Sequence, residues 1–273
     1  MENYTYNTLT LQLEWLNISV ESTYALFLLL LFFYLFIMVA NMSIAVLVFM
    51  DKNLHQPMYL LFCNLPFNDI LGNSIMVPRL LVDMLKPPSE RFISYYECVV
   101  QAFTTHMFGA TMAFVLVGIL LGLTVRLSRC RTLITNPYCD NASLFKLSCE
   151  NVFINNVYGL TFTVVLFTGS IGSIVLTYAR ITIVCLTSKN KSLNSKALKT
   201  CSTHLVVYMI MLLSGMIVIM LHRFPQYSDY RKLCSILFHI IPGSLNPIIY
   251  GVQSKEMQKL FAKLLQKKTV PLK

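Results

Sequence analysis

Long stretches without charge constrain this chain more than any other feature of its sequence. Five of them cover residues 25–50, 99–125, 152–179, 205–221 and 233–252, and a sixth, 57–82, carries only Asp69 and Arg79. A helix needs roughly 20 apolar residues to cross the hydrocarbon core of a bilayer. The sequence therefore predicts an all-α, multi-pass transmembrane helix bundle with six clear hydrophobic spans.

The composition excludes a large soluble core built from the same stretches. Hydrophobic residues make up 56% of the 273 residues and charged residues only 12%, so too few polar side chains remain to coat such a core. We expect a single domain over residues 1–273. Its parts are an N-terminal head at 1–23, the helix bundle at 24–252 and a cytoplasmic tail at 253–273.

The net charge of +10 does not indicate nucleic-acid binding, because the 22 basic residues are scattered through loops. The densest group lies in the tail, directly after the last span, where basic residues favour the cytoplasmic surface of a membrane. Lys255, Lys259 and Lys263 would share one face of a helix, and apolar residues the other. This pattern predicts a short amphipathic helix on the lipid surface.

Glycosylation sequons favour an extracellular N-terminus. Two of them, at Asn3 and Asn17, lie in a head that has no Lys or Arg, and Lys52 follows the first span. A third sequon, at Asn141, lies in the loop 126–151 together with several cysteines. Such a combination suggests an oxidising, extracellular loop.

Motifs of catalysis are absent from the sequence. There is no His-Glu-x-x-His, P-loop, Gly-x-Gly-x-x-Gly or Gly-x-Ser-x-Gly pattern, and no cysteine pair has the spacing of a zinc site. We expect no enzyme activity, no cofactor and no metal centre of that kind. Paired broken helices, which would point to a transporter, are absent too, so a channel or transporter is a remote alternative.

Three motifs resemble one family, the vertebrate odorant receptors, which are rhodopsin-like G-protein-coupled receptors with seven transmembrane helices. Leu-His-Gln-Pro-Met-Tyr-Leu at 54–60 resembles the family's entry into helix two, and Lys-Ala-Leu-Lys-Thr-Cys-Ser-Thr-His-Leu at 196–205 the cytoplasmic end of helix six. Leu-Asn-Pro-Ile-Ile-Tyr at 245–250 resembles the helix-seven signature. The fish receptors look nearest. The resemblance implies a seven-helix bundle that binds a small odorant and signals through a stimulatory heterotrimeric G protein.

One stretch departs from the family pattern. Residues 98–106 look like the start of helix three and residues 116–126 like the end of helix four, but the material between them is missing, including the Asp-Arg-Tyr motif. Two crossings and a loop need roughly 40 residues or more, and 99–125 offers 27. The stretch is long enough for one tilted crossing, at about 1.5 Å per residue, or for a re-entrant hairpin turning near Gly109, Gly118 or Gly122.

Charge counts leave the topology open. With seven family-like crossings, 12 of the 22 Lys and Arg residues fall inside. With six crossings, 8 fall inside when the N-terminus is outside, and 14 when it is inside. The last arrangement agrees best with the positive-inside rule, but it places the sequons at Asn3 and Asn17 on the cytoplasmic side.

The resemblance also implies roles for individual residues. It pairs Cys98 with Cys139 and Cys130 with Cys149, whereas the residues alone leave three pairings of these four cysteines open. A carboxylate at Asp69, within an apolar span, is costly and needs a partner. The family pattern places it with Asn41 and Asn246 in a polar network that lies near a sodium site.

Ligand and G-protein contacts follow in the same way. In this fold His106 and Arg223 lie at helix ends that converge on the ligand pocket, and an arginine with a histidine suits a carboxylate. We therefore expect an acidic odorant. At the cytoplasmic side, the resemblance assigns contacts near the G protein to Tyr178, Lys199, His204 and Tyr250.

Two functions remain open at this point. The first is an odorant receptor in the cell membrane. The second is a truncated relative that either does not signal or is retained in the endoplasmic reticulum. The Asp-Arg-Tyr arginine, which contacts the G protein in the family, is missing.

Overall fold

The structure, a computed structural model, describes residues 7–50, 57–109, 114–187 and 191–253. The predicted amphipathic tail helix lies outside these residues. Within them the chain forms eight α-helices: α1 (Val20–Met50), α2 (Pro57–Leu85), α3 (Tyr95–Gly109), α4 (Phe114–Val125), α5 (Asn141–Phe145), α6 (Phe153–Thr187), α7 (Lys191–Leu221) and α8 (Ser228–Gln253). The predicted helical bundle is confirmed.

The longest helices follow the apolar stretches of the sequence. Three described segments are long and apolar enough to cross a membrane, namely Val20–Met50, Phe153–Cys185 and Ser228–Ile249, and Leu205–Leu221 is a shorter apolar segment within α7. Just before α1, the Ser19 hydroxyl accepts a hydrogen bond from the Ser22 amide at 3.2 Å. This bond satisfies one of the free N–H groups of the first turn, as an N-cap does.

The stretch 99–125 is a helical hairpin and not one tilted crossing. Gln101, near the start of α3, accepts a hydrogen bond from the Cys139 amide at 2.8 Å. Thr124, near the end of α4, lies 3.4 Å from Asn141 Oδ1. Since Cys139 and Asn141 are two residues apart, both ends of the hairpin lie at the same end of the bundle. The expectation of a single crossing is wrong, and the hairpin alternative describes the chain.

The two helices of the hairpin are too short to reach the other membrane face. At 1.5 Å per residue, the 15 residues of α3 and the 12 of α4 make about 22 Å and 18 Å, less than the roughly 30 Å of the hydrocarbon core. The hairpin therefore enters and leaves the bundle on one side. The loop 126–151 and the helices after it keep the sidedness that the seven-helix family pattern implies.

A small sheet covers this end of the bundle, which we call the outer end. Its strands are β1 (Thr10–Leu13), β2 (Phe92–Ser94) and β3 (Leu133–Ile134), in the order β2-β1-β3. β1 pairs antiparallel with β2 and parallel with β3. Short 3-10 turns at Pro88–Glu90 and Pro225–Tyr227 complete the connections. The N-terminal segment thus joins two loops that are far apart in sequence.

Two apolar clusters hold the outer end to the helices. The first includes Leu11 and Leu13 of β1 with the half-cystines Cys98 and Cys139. The second joins Trp15 and residues of α1, α2 and α8. Burying a leucine side chain contributes about 1.5–3 kcal/mol, so β1 is an integral part of the fold.

Candidate functional site

A polar network links three helices in the middle of the bundle. Asn246 of α8 donates a hydrogen bond to the Asp69 carboxylate of α2 at 3.0 Å. Asn41 of α1 is buried, and its amide donates to the backbone carbonyls of Gly243 at 3.0 Å and Ile37 at 2.9 Å. The structure therefore places all three predicted network residues between α1, α2 and α8.

Asn73 belongs to the same region, and sequence reasoning missed it. It is buried one turn after Asp69, and its amide donates to the Asp69 carbonyl at 2.9 Å. The side-chain oxygens of Asn73 and Asn41 are buried and have no hydrogen-bond partner. Amide and carboxylate oxygens of this kind are ligands that a hard cation prefers. The spacing of four residues from Asp69 was the signal in the sequence.

Gly243 is required where α8 approaches this network. A Cβ atom at position 243 would lie 2.9 Å from Asn73 Nδ2 and 3.4 Å from two carbon atoms of Ile37. We predict that Gly243→Ala lowers the free energy of unfolding by about 1–2 kcal/mol, because overpacked cores displace their neighbours. Thermal unfolding of the purified protein measures this. Gly118→Ala, where a Cβ meets open space, is the matched control. Equal unfolding temperatures for the two variants would contradict the prediction.

The structure describes the side chain of only one of the two predicted ligand residues. Arg223 is exposed just after the outer end of α7. His106 lies in α3, but its side chain is outside the described residues. The structure therefore gives no distance between them.

A cluster of basic side chains surrounds one carboxylate near Arg223. His222 Nε2 lies 3.8 Å from Asp140 Oδ2. Arg231 at the start of α8 donates to Asn136 Oδ1 at 2.7 Å, and Asn136 donates to Asp140 Oδ2 at 3.0 Å. Lys146 and Arg223 are close enough to interact electrostatically with His222. We call these four basic residues, Lys146, His222, Arg223 and Arg231, the outer basic cluster.

The environment of the cluster disfavours a charge on His222. Burial is the main cause that lowers the pKa of His222, the Asp140 carboxylate opposes this effect, and the neighbouring cations Arg231, Lys146 and Arg223 add to it. Burial likewise lowers the pKa of Lys146, and the charge of Arg231 adds to that shift.

This environment predicts that acid weakens the outer end. The unfolded chain binds a proton at His222 near pH 6.5, but the folded protein binds it only at lower pH. The free energy of unfolding therefore falls as the pH drops through about 6.5, until it reaches the folded-state pKa. Thermal unfolding between pH 7.5 and 5.5 measures this, and His222→Gln is expected to lose part of the pH dependence. A variant with the unchanged dependence would contradict the prediction.

Disulfide bonds join the outer end of α3 and the loop 126–151. The structure contains the bonds Cys98–Cys139 and Cys130–Cys149, with Cα–Cα distances of 5.2 and 5.9 Å. These are the pairs that the resemblance implies. The hairpin makes the first pair possible, because it keeps Cys98 on the same side as Cys139.

A buried lysine fastens the N-terminal segment to α8. Lys232 is 0% exposed. Its ammonium group donates to Glu14 Oε1 at 2.8 Å, to the Trp15 carbonyl at 3.0 Å and to Asp229 Oδ1 at 3.4 Å. A fully buried charge needs such partners. In the sequence, Lys232 is only one more loop cation, so this contact could not be predicted.

The sequons differ in accessibility. Asn17 is exposed just before α1, and Asn3 lies outside the described residues. Asn141, the first residue of α5, is 4% exposed, and Ser143 of the same sequon is 3% exposed. The folded protein has no room for a glycan there, and the expectation at Asn141 is wrong.

The predicted cytoplasmic residues lie far from the outer sheet along their helices. Tyr178 is half-buried in the second half of α6. Lys199 and His204 lie in α7 and Tyr250 in α8, but their side chains are outside the described residues. No geometry of a G-protein contact follows from these positions.

Comparisons with known proteins agree on one family. The olfactory receptor family model matches residues 109–268. Olfactory receptor 8G17 of Mus musculus is 27% identical, covering 88% of this chain and 92% of that receptor. Olfactory receptor 4Q2 of Homo sapiens is 30% identical, covering 90% and 89%. The crystal structure of squid rhodopsin superimposes with a TM-score of 0.57 at 13% identity, covering 91% of this chain and 87% of that chain.

The match to olfactory receptor 8G17 also contains gaps. The match to olfactory receptor 8G17 extends over 282 positions but covers 88% of the 273 residues of this chain, which is about 240. The difference, roughly 40 positions, is the number of positions at which that receptor has a residue and this chain has none.

Proposed function

Because the chain belongs to the olfactory receptor family, we propose that it detects a small acidic odorant and signals through a stimulatory heterotrimeric G protein. It is a multi-pass membrane protein and not an enzyme. The odorant would bind within the helix bundle, and binding would shift the population between two helix arrangements.

The observation that carries this proposal is the hydrogen-bonded link between Asp69 and Asn246. It joins α2 to α8, and Asn41 joins α1 to α8 beside it, so these three helices share one polar contact region. A sodium ion on the oxygen atoms of Asp69, Asn41 and Asn73 would stabilise the resting arrangement.

Arg223 supports the acidic class of odorant. It is an exposed cation at the outer end of α7, next to three other basic groups that face a single carboxylate. A site with such an excess of positive charge attracts anions and increases their local concentration.

A cyclic-AMP assay in cells that display the tagged receptor tests the proposal. We expect a panel of short carboxylic acids to raise cyclic AMP. Arg223→Gln should weaken the response about tenfold or more, since a charged hydrogen bond contributes about 1.5–3 kcal/mol. Arg126→Gln, an exposed arginine at the end of α4, is the matched control. An unchanged response of the Arg223 variant would contradict the acidic-odorant proposal.

The second candidate is a relative that does not signal and stays in the endoplasmic reticulum. The specific observation in its favour is the short hairpin of α3 and α4, which ends before the cytoplasmic side, together with the missing Asp-Arg-Tyr motif. Receptor that reaches the cell surface but produces no cyclic AMP with any acid of the panel would favour a non-signalling relative. Receptor found only inside the cell would favour retention.

A further inference from the structure

We propose that the outer basic cluster binds a small monovalent anion, for which chloride and the carboxylate of a short acid are the two sources. The proposal goes beyond odorant detection, because it requires neither a response nor a G protein.

The first argument is an imbalance of charge. Lys146, His222 and Arg231 lie near a single carboxylate, that of Asp140, and Arg223 lies near His222. Asp140 is already engaged, since it accepts hydrogen bonds from the Ser143 amide at 2.6 Å and from Asn136 at 3.0 Å. The other nearby carboxylates, Glu14 and Asp229, are bound to Lys232. The site therefore carries excess positive charge in a partly buried position.

The second argument is that Arg231 is buried among neutral partners. Its side chain is 3% exposed, and among the described residues no carboxylate lies within ion-pair distance of it. Its Nη2 donates only to neutral oxygens, the Thr135 carbonyl at 3.0 Å and Asn136 Oδ1. Its Nε is buried without a hydrogen-bond partner. A buried guanidinium usually has a counter-ion, because an unpaired buried charge is costly.

The third argument is the position of His222 in the same cluster. His222 Nδ1 is also buried and has no hydrogen-bond partner. His222 and Arg231 both connect to Asp140, one directly at 3.8 Å and the other through Asn136. An anion in the cluster would satisfy the free Nε donor of Arg231 and balance the charge. His222, whose Nε2 faces the Asp140 carboxylate, would donate to the anion from Nδ1 when the ring is protonated. Asp140 repels a second negative charge on the same ion, so a monovalent anion suits the site better than sulfate.

The test uses the full chain purified in lipid nanodiscs at pH 7.5. Sodium isethionate, a bulky sulfonate without a carboxylate group, is replaced stepwise by sodium chloride, or by sodium acetate, at constant ionic strength. An ion that binds the folded state raises the unfolding temperature in a saturable way. We expect this rise with chloride, acetate or both, and the two titrations identify the source. Arg231→Gln should weaken the apparent affinity roughly tenfold or more, whereas the exposed Arg126→Gln should not change it.

An unfolding temperature that is independent of the anion would overturn the proposal, as would an unchanged anion dependence in Arg231→Gln. If that variant fails to fold, Lys146→Gln decides, because Lys146 is exposed and its loss leaves the core intact. We expect a several-fold weaker apparent affinity, and an unchanged affinity would overturn the proposal. None of these readouts uses cyclic AMP, so a failure of the odorant proposal is seen separately.

Discussion

Replacing Cys98 and Cys139 together by serine is expected to lower the free energy of unfolding by about 2–5 kcal/mol, the usual effect of losing a native disulfide. Both half-cystines are buried in the apolar cluster that contains Leu11 and Leu13 of β1, and the bond closes a segment with a sequence separation of 41 residues. Without it, the outer end of α3 is no longer fixed to the loop 126–151. We expect the unfolding temperature of the variant to lie well below that of the wild-type protein.

Two control variants make the disulfide prediction specific. Cys234→Ser removes a free cysteine of α8 and should have little effect. The double serine variant of Cys130 and Cys149 opens a shorter segment, with a separation of 19 residues, and should cost roughly 0.7 kcal/mol less in the chain-entropy account. The measurements are thermal unfolding and the fraction of receptor at the cell surface. A Cys98 and Cys139 variant as stable as Cys234→Ser would contradict the prediction.

Glu14→Ala is expected to destabilise the protein by about 2 kcal/mol, and Lys232→Met by less. Removing Glu14 leaves a buried ammonium group with weaker partners, and breaking a buried pair in this way is strongly destabilising. The estimate stays below the usual 3–5 kcal/mol, because the Glu14 side chain is 44% exposed. Lys232→Met instead replaces the buried charge by an apolar side chain of similar shape.

A double-mutant cycle separates the pair from its surroundings. The variant with both changes should be more stable than Glu14→Ala alone, because no buried charge is left unpaired. Glu21→Ala, at an exposed position in the first turn of α1, is the control and should stay within about 0.5 kcal/mol of the wild type. If Lys232→Met were the more damaging of the two single changes, the bonds from the ammonium group to the Trp15 carbonyl and to Asp229 would contribute more than its pairing with Glu14, which contradicts the prediction.

The sequence predicted the helices well, because each long apolar stretch has one low-energy structure in a bilayer. It also restricted 99–125 to two choices by length alone. The choice between them depended on contacts of Gln101 and Thr124 with a loop further along the chain. The strands β1, β2 and β3 have only 4, 3 and 2 residues, which is too short for an alternating pattern to be recognised.

The polar residues show what local sequence patterns cannot predict, namely burial and contacts between distant segments. Asp69 stood out as a carboxylate within an apolar span, and the family resemblance supplied its partner Asn246. Asn73 matched no motif, although its spacing from Asp69 placed it on the same helix face. The sequon at Asn141 satisfied its pattern but is buried, because a three-residue motif contains no information about burial. Arg231 and Lys232 looked like loop cations, since their partners Asn136 and Glu14 are distant in sequence.

The sidedness of the two chain ends tests the central claim, the re-entrant hairpin of α3 and α4, most directly. Each end of the full chain is tagged, and antibody access is compared before and after the cells are permeabilised. The hairpin predicts that the N-terminal tag is accessible from outside and that the C-terminal tag is accessible only after permeabilisation. Two tags on the same side would mean that residues 95–125 cross the membrane once, which contradicts the hairpin and the Cys98–Cys139 bond with it.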